Sequence, residues 1–444
     1  MWRNVGAGLL VTVGILAGKA DAQTVHLSEG PLAKSCFRND LSMDLTGKIT
    51  VQQEGKNITL KQAASARHVF VEKILEAKDG LAEKSARIYQ AAEAAITIES
   101  EVAKRALRPE LALMIAQRSR EGTAVYSPQG LLSNDEKELT EHFDTLALPG
   151  LLPNKDTAVG ATWTIPTPVT LALCDVDGVV SGGLTGKLLA IQGDVATGTV
   201  EGIVKAIGMG AQVSMEIKAR FAFELKEKRL VALEWSQHDE RQQGPINPAL
   251  TADVTYKLKR TPIIEPNALN DIALVRALSV PADKMSAVHY RDPKGRFDLQ
   301  YARNWHLVSQ DEKHLVLRLL SERGDFIAQA TLTPYTKVEP GKMMDIDEFV
   351  SLMAAAPGWE QEDGLVEKTS KVEAGEDGAH QIYRVGATGK LGGVSALQYF
   401  HLIAGAGGDQ VIVTFTMDPK QAPNLSSHDL AFLRGIAFPR VAAK

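Results

Sequence analysis

Residues 211–235 read AQVSMEIKARFAFELKEKRLVALEW. Val213, Met215, Ile217, Ala219, Phe221, Phe223 and Leu225 take every second place, and Ser214, Glu216, Lys218, Arg220 and Glu224 take most of the places between. A period of two puts the apolar set on one face of an extended strand and the polar set on the other. Lys226 to Arg229 form a charged turn, after which Val231, Leu233 and Trp235 carry the apolar face onto an antiparallel neighbour. A fully buried side chain of this kind contributes about 1.5–3 kcal/mol, so leaving the whole face wet would forgo more than ~10 kcal/mol. The face needs a cover, and the stretch confines the chain to folds built on a large antiparallel sheet.

The flanking sequence supplies more of that sheet. GKITVQQEGKNITLKQA alternates on both sides of a Glu-Gly-Lys-Asn turn and predicts a hairpin. PVTLALCDVD, LTGKLLAIQGD and ATGTVEGIVKA are short apolar-alternating runs, and ADVTYKLKR adds a strand with Val254, Tyr256 and Leu258 on one side. Two stretches suit the covering layer. Residues 82–117 are Ala-rich and charge-laced, which favours helix, although AITI within them is also open to strand. SNDEKELTEHFDTLAL starts with Ser133 and, three residues later, Glu136, a capping-box spacing that predicts a helix running to Pro149. Either these helices cover the sheet fully, or they leave a groove for a lipid or another apolar ligand. In the second case Val213, Met215, Ile217, Phe221, Phe223, Val231, Leu233 and Trp235 are the candidate ligand-binding residues.

Residues 262–289 read as a connector with one short helix, NALNDIALVRAL, stopped by Pro281. Beyond it, GRFDLQYARNW alternates around Phe297, Leu299 and Tyr301, and Trp305 reads as a packed indole. HLVLRLL, DFIAQATLTPY, GAHQIYRVGAT, SALQYFHLIAG and DQVIVTFTM read as strands, with helices over MDIDEFVSLMAAA and SSHDLAFLRGIAF. Strands framed by helices predict an α/β sandwich on an antiparallel sheet.

The order of these elements resembles the PsbP-like fold shared by the extrinsic photosystem subunit, the Mog-type Ran-binding proteins and the DcrB-like lipoproteins. Tyr290, Gly295, Phe297, Leu299, Tyr301 and Trp305 match the opening motif and Phe438 the closing one, while Ala302, Arg303 and Asn304 stand where the family usually has a proline. In the first half, Leu152, Pro153, Val159, Gly160 and Trp163 are similar to an element of secreted proteins whose curved sheets resemble the LolA and LppX carriers. The resemblances imply an α+β chain. Its first domain is a curved antiparallel sheet, or half-barrel, with covering helices, and its second is a PsbP-like sandwich. The domains fall at 23–261 and 290–444, joined by the 262–289 connector.

At the start, Arg3, the apolar stretch Gly6–Gly18 and the small residues Ala20 and Ala22 follow the order of a signal peptide, residues 1–22, and imply export to a periplasmic or extracellular space. The apolar stretch is shorter than the roughly 20 residues a spanning helix needs, so no transmembrane anchor is expected. Cys36 and Cys174 are an even pair in a chain bound for an oxidising compartment; a disulfide and two buried thiols both fit. The net charge of −5 and the lack of a basic run argue against a nucleic-acid partner.

Catalytic patterns are thin. LALCDVDGVV resembles the first motif of haloacid-dehalogenase-type phosphatases, in which Asp175 would attack phosphorus and Asp177 would handle the leaving-group proton. The next residues, SGGLTGKLLAIQGDVATGTVEG, show glycine-broken alternation suited to hairpins, not the crossover helix a parallel sheet requires. An Asp-Gly turn between antiparallel strands is therefore the reading adopted. The adjacent sets His238-Asp239-Glu240 and Glu141-His142-Asp144 do not converge on one ion, because strand neighbours point to opposite faces. No cofactor and no metal is expected. The functional expectation is a non-enzymatic binding or assembly protein that holds an apolar ligand on the sheet and docks an envelope protein through the second domain. The alternative is an extracytoplasmic scaffold without a small ligand.

Overall fold

The computed structural model describes residues 23–439 except 31, 54, 120–121, 281, 363 and 376–377. The expected signal peptide lies outside the described residues. The alternating stretch forms the strand Ala211–Glu224, which pairs antiparallel with Arg229–Arg241 across the charged turn. These belong to a twelve-stranded sheet. From one edge its order is Gly122–Tyr126, Leu113–Ser119, Leu81–Ile98, Lys56–Lys78, Cys36–Gln53, Ala249–Pro262, Arg229–Arg241, Ala211–Glu224, Val195–Gly208, Gly178–Gln192 and Thr162–Thr164. Glu101–Ala106 pairs with Leu81–Ile98 off this path. Each pairing in it is antiparallel and the sheet is open.

The Ala-rich stretch is the first departure from the pattern its composition predicts. Residues 82–117 fall in the strands Leu81–Ile98, Glu101–Ala106 and Leu113–Ser119 and one 3-10 turn, Pro109–Leu111, not in an α-helix. Alanine's helical preference is a weak prior that strand pairing on both sides overrides. The small side chains also suit a strand covered on both faces: Ala82 and Ala92 pack with Phe70 and Leu139, whereas Ala86 packs with Ile115 and Leu274 on the opposite side.

The cover is therefore built from residues 134–174. Helix Asn134–Glu141 starts with the expected capping box, in which Ser133 Oγ accepts from Glu136 N (3.2 Å) and Glu136 Oε2 accepts from Ser133 N (2.9 Å). It stops at His142, short of Pro149, and a 3-10 segment Thr145–Leu151 continues with Asp144 accepting from Leu146 N (2.9 Å). Helix Thr167–Cys174 comes next, where a strand was expected. Pro168 in its first turn presets φ for a helix, and Val169, Thr170, Leu173 and Cys174 are its buried residues. The turn expected at Asp175 is instead the left-handed cap of this helix, with φ 50°. Trp163 lies across Gly186, where a Cβ would come within 2.2 Å of the indole, and its Nε1 donates to Leu151 O (2.9 Å).

The connector carries the 3-10 turn Asn267–Leu269 and helix Asp271–Leu278, and it is fastened to the sheet face opposite the cover. Lys73, 1% exposed, donates to Leu269 O (3.0 Å) and pairs with Glu265 (2.9 Å) and Asp271 (2.7 Å). Removing the ammonium from water is offset here by two carboxylates and a carbonyl.

In the second domain an eight-stranded antiparallel sheet runs Trp305–Gln310, Leu315–Leu320, Phe326–Tyr335, Gln410–Met417, Val394–Ala404, Gly378–Leu391 and Trp359–Gln361, with Glu367–Gly375 paired to Gly378–Leu391. Alternation on Gln410–Met417 serves two layers. Val411, Val413 and Phe415 face helix His428–Arg434 through Phe432 and Leu433, while Ile412 faces helix Ile346–Ala354 through Phe349. The opening stretch divides at residues 302–304. Asp298–Tyr301 joins a small sheet with Val288–Arg291 and Ile436–Ala437, and Trp305 starts the large one. The indole is buried between Phe415 and Phe432 (ring centroids 5.8 and 4.8 Å). Both units are sheet-dominated with few, short helices, so α+β describes the chain only coarsely.

Candidate functional site

The covered face of the large sheet carries the candidate residues. Val213, Met215, Ile217, Phe221, Phe223, Leu233 and Trp235 are all buried on it, in one core with Phe143, Leu148, Leu151, Ile165, Val169 and Leu173 of the covering segment. Val231 is not among them. A β-bulge opposite Ala222 and Phe223 pairs those residues with Ala232 and Leu230, so Val231 is the extra residue and Leu230 takes the core place at 0% exposure. Strict alternation backwards from Trp235 could not reveal this, because the inserted residue flips the parity of everything before it.

Toward one end the face turns polar. Along Arg229–Arg241, Leu233 and Trp235 are succeeded on the same side by Gln237, Asp239 and Arg241. Trp235 Nε1 donates to Gln237 Oε1 (2.8 Å), and Gln237 Nε2 donates to Asp239 Oδ2 (2.8 Å), which leaves Asp239 Oδ1 buried without a partner. Burial raises the Asp239 carboxyl and lowers the Arg241 guanidinium, each partly opposed by the charge of the other. Beside them a cavity of about 510 Å³ is lined by Val213, Ala206 and Leu250, with Arg241 on the same face and Lys205 and Glu240 on the other side of the strands that border it. Val213 is thus the candidate residue that reaches both the core and this open space.

Asp175 and Asp177 do not form a phosphatase centre of the kind their spacing resembles. Asp177 Oδ2 accepts from Met209 N (2.6 Å) and so fastens a neighbouring hairpin turn, and the next strand, Gly178–Gln192, is antiparallel to its neighbours. The crowding of its surroundings first, and the charge of Glu141 second, raise the Asp175 carboxyl to about 6.

Deeper on the face His68 and His142 lie with rings 4.6 Å apart, next to Tyr256. Both nitrogens of His68 and Nε2 of His142 are buried without a partner. Burial holds these imidazoles neutral, at about 3 for His68 and about 4 for His142. His238 points away from the cover and pairs with Asp253 (2.7 Å), on the opposite side from Asp239, as strand geometry requires. Among the described residues no three His, Cys, Asp or Glu side chains are placed to hold a metal ion.

Cys36 and Cys174 are buried free thiols. Cys36 starts a strand at the Pro262 end of Ala249–Pro262, whereas Cys174 ends the covering helix Thr167–Cys174.

No protein-family model and no curated protein sequence matches the chain. Solved structures show partial likeness, among them the following three. The cyanobacterial PsbP of Synechocystis is 14% identical over 36% of this chain and 96% of its own, with a TM-score of 0.26. A Pseudomonas aeruginosa protein of unknown function, described as a putative regulator, is 16% identical over 35% of this chain and 99% of its own, with a TM-score of 0.23. Lipovitellin, in a structure concerned with lipid-protein interactions, is 7% identical over 54% of this chain and 27% of its own, with a TM-score of 0.31. Likeness at these scores places the chain in no family.

Proposed function

We propose that the protein is an exported, non-enzymatic binding protein that takes an amphiphilic ligand at the Val213 end of the large sheet. The observation that carries this reading is the cavity of about 510 Å³ where the covered face runs out. Val213, Ala206 and Leu250 offer an apolar wall to a hydrocarbon chain, and Arg241, on the same face, offers a cation to an anionic head. The rest of the candidate face, from Met215 to Trp235, holds the covering segment in place and takes no part in contacting the ligand. Organic extraction of protein purified from the exporting cell, followed by mass spectrometry, is expected to yield an acidic amphiphile from the wild type and much less from Val213→Trp, which fills the cavity. Equal recovery from both proteins, or none from either, would sink the proposal.

A second reading is favoured by the filled core. Phe143, Leu148, Leu151 and Val169 already occupy the apolar face, which suits an extracytoplasmic scaffold whose two domains serve protein contacts. Empty extracts together with a specific envelope partner in cross-linking would select it.

A further inference from the structure

The edge strand Gly122–Tyr126 ends the large sheet, and an edge leaves outward-facing N–H and C=O groups without a neighbouring strand. At Val125 both groups are nonetheless bonded. Its N–H donates to Glu141 Oε1 (3.0 Å) and its C=O accepts from Arg303 Nη2 (2.5 Å). Glu141 Oε1 also accepts directly from Arg303 Nη1, so carboxylate and guanidinium are joined to each other while they grip one residue. That is the pattern a residue of a paired antiparallel strand would provide, one acceptor and one donor to the same partner. Arg303 Nε donates to Ser286 O (2.7 Å), which fixes the guanidinium's plane.

The two halves of this arrangement come from different domains. Glu141 ends the first helix of the cover, and Arg303 sits in the turn between Asp298–Tyr301 and Trp305–Gln310. At Ala124 the edge borders a cavity of about 1100 Å³ between the domains, lined also by Ser286, Arg303 and Trp305. The backbone bond from His289 N to Leu132 O (2.8 Å) and the bond from the Arg318 side chain to Pro245 O also hold the second half of the chain against the first.

We propose that Arg303 and Glu141 form a cross-domain edge cap. The two side chains stand in for a missing strand, and docking of the second domain closes the free edge of the first domain's sheet. The edge is open whenever the second domain is undocked.

Amide hydrogen exchange on the full chain, resolved to Val125, tests this. Arg303 does not touch the Val125 N–H, so an effect there reports the pair acting as one unit. A charge-assisted hydrogen bond is worth about 1.5–3 kcal/mol, and its loss in Arg303→Ala is expected to speed exchange at Val125 by roughly tenfold or more while core amides such as that of Phe415 keep their rates. Arg303→Lys keeps the charge but loses the fork, and it is expected to give a smaller acceleration at the same amide. Exchange at Val125 within about twofold of wild type in both variants would overturn the proposal. Should Arg303→Ala loosen the whole chain, the lysine variant alone decides between the two results.

Discussion

Arg87→Met should be among the most destabilising single changes available to the first domain. Glu72 is 0% exposed and its Oε1 accepts from Arg87 Nε (2.8 Å), Ser85 Oγ (2.9 Å) and Thr145 Oγ1 (3.1 Å), while Oε2 accepts from Asn39 Nδ2 (3.2 Å). Arg87 Nη2 also reaches Thr145, so the network ties three central strands to the cover. Burial alone would raise the Glu72 carboxyl, but Arg87 and, more distantly, Arg260 hold it below the ordinary range. Replacing Arg87 by methionine keeps much of the volume and leaves a buried carboxylate with neutral partners, which costs about 3–5 kcal/mol. For a domain of this size that is a loss of roughly 6–20 °C in Tm at pH 7.5. Because the stranded carboxyl would then take up a proton more readily than in the unfolded chain, the deficit should shrink as the pH falls toward 5. Glu72→Gln combined with Arg87→Met should recover much of the loss, since no charge is left uncompensated. Calorimetry of the single and double variants decides: a deficit under ~1 kcal/mol, or a double variant no better than the single, would refute the reasoning.

Two further tests concern the core. His68 and His142 are held neutral at about 3 and about 4, against about 6.5 for free imidazole. The unfolded chain therefore binds protons that the native protein does not, and stability should fall as the pH drops from about 6.5 toward 4. His68→Leu should flatten that part of the curve in urea titrations at stepped pH. Gly186→Ala would place a methyl 2.2 Å from the Trp163 ring and break the indole's bond to Leu151. A cost of about 1–3 kcal/mol in thermal melts is expected, with a changed tryptophan emission.

Sequence periodicity told the truth wherever one face was wet and the other dry. The strand Ala211–Glu224 shows such alternation, bulky apolar residues also marked Val394–Ala404 and Gln410–Met417 although both their faces are covered, and Ser133 with Glu136 marks a helix start by local chemistry alone. It misled where a strand covered on both faces is built largely of alanine, as in Leu81–Ile98, since alanine at any spacing suits two packed layers and also suits a helix. It also failed at Val231, displaced by a bulge, and at Thr167–Cys174, where eight residues are too few for helix and strand to be told apart by pattern. The edge cap was invisible for another reason. Glu141 and Arg303 are 162 positions apart, and their meeting depends on how two domains seat against each other.

The centre of the large sheet is a seam between distant parts of the chain, since Phe37 lies opposite Pro262 and Thr50 opposite Ala249. Bringing such remote segments together entails a large loop-closure entropy before any contact rewards it, which marks the topology as a slow folder. During synthesis the hairpin built on Cys36–Lys78 must wait, one flank unzipped, for nearly two hundred further residues to emerge. A chaperone that shields that flank would find its client in the nascent protein rather than in the finished one.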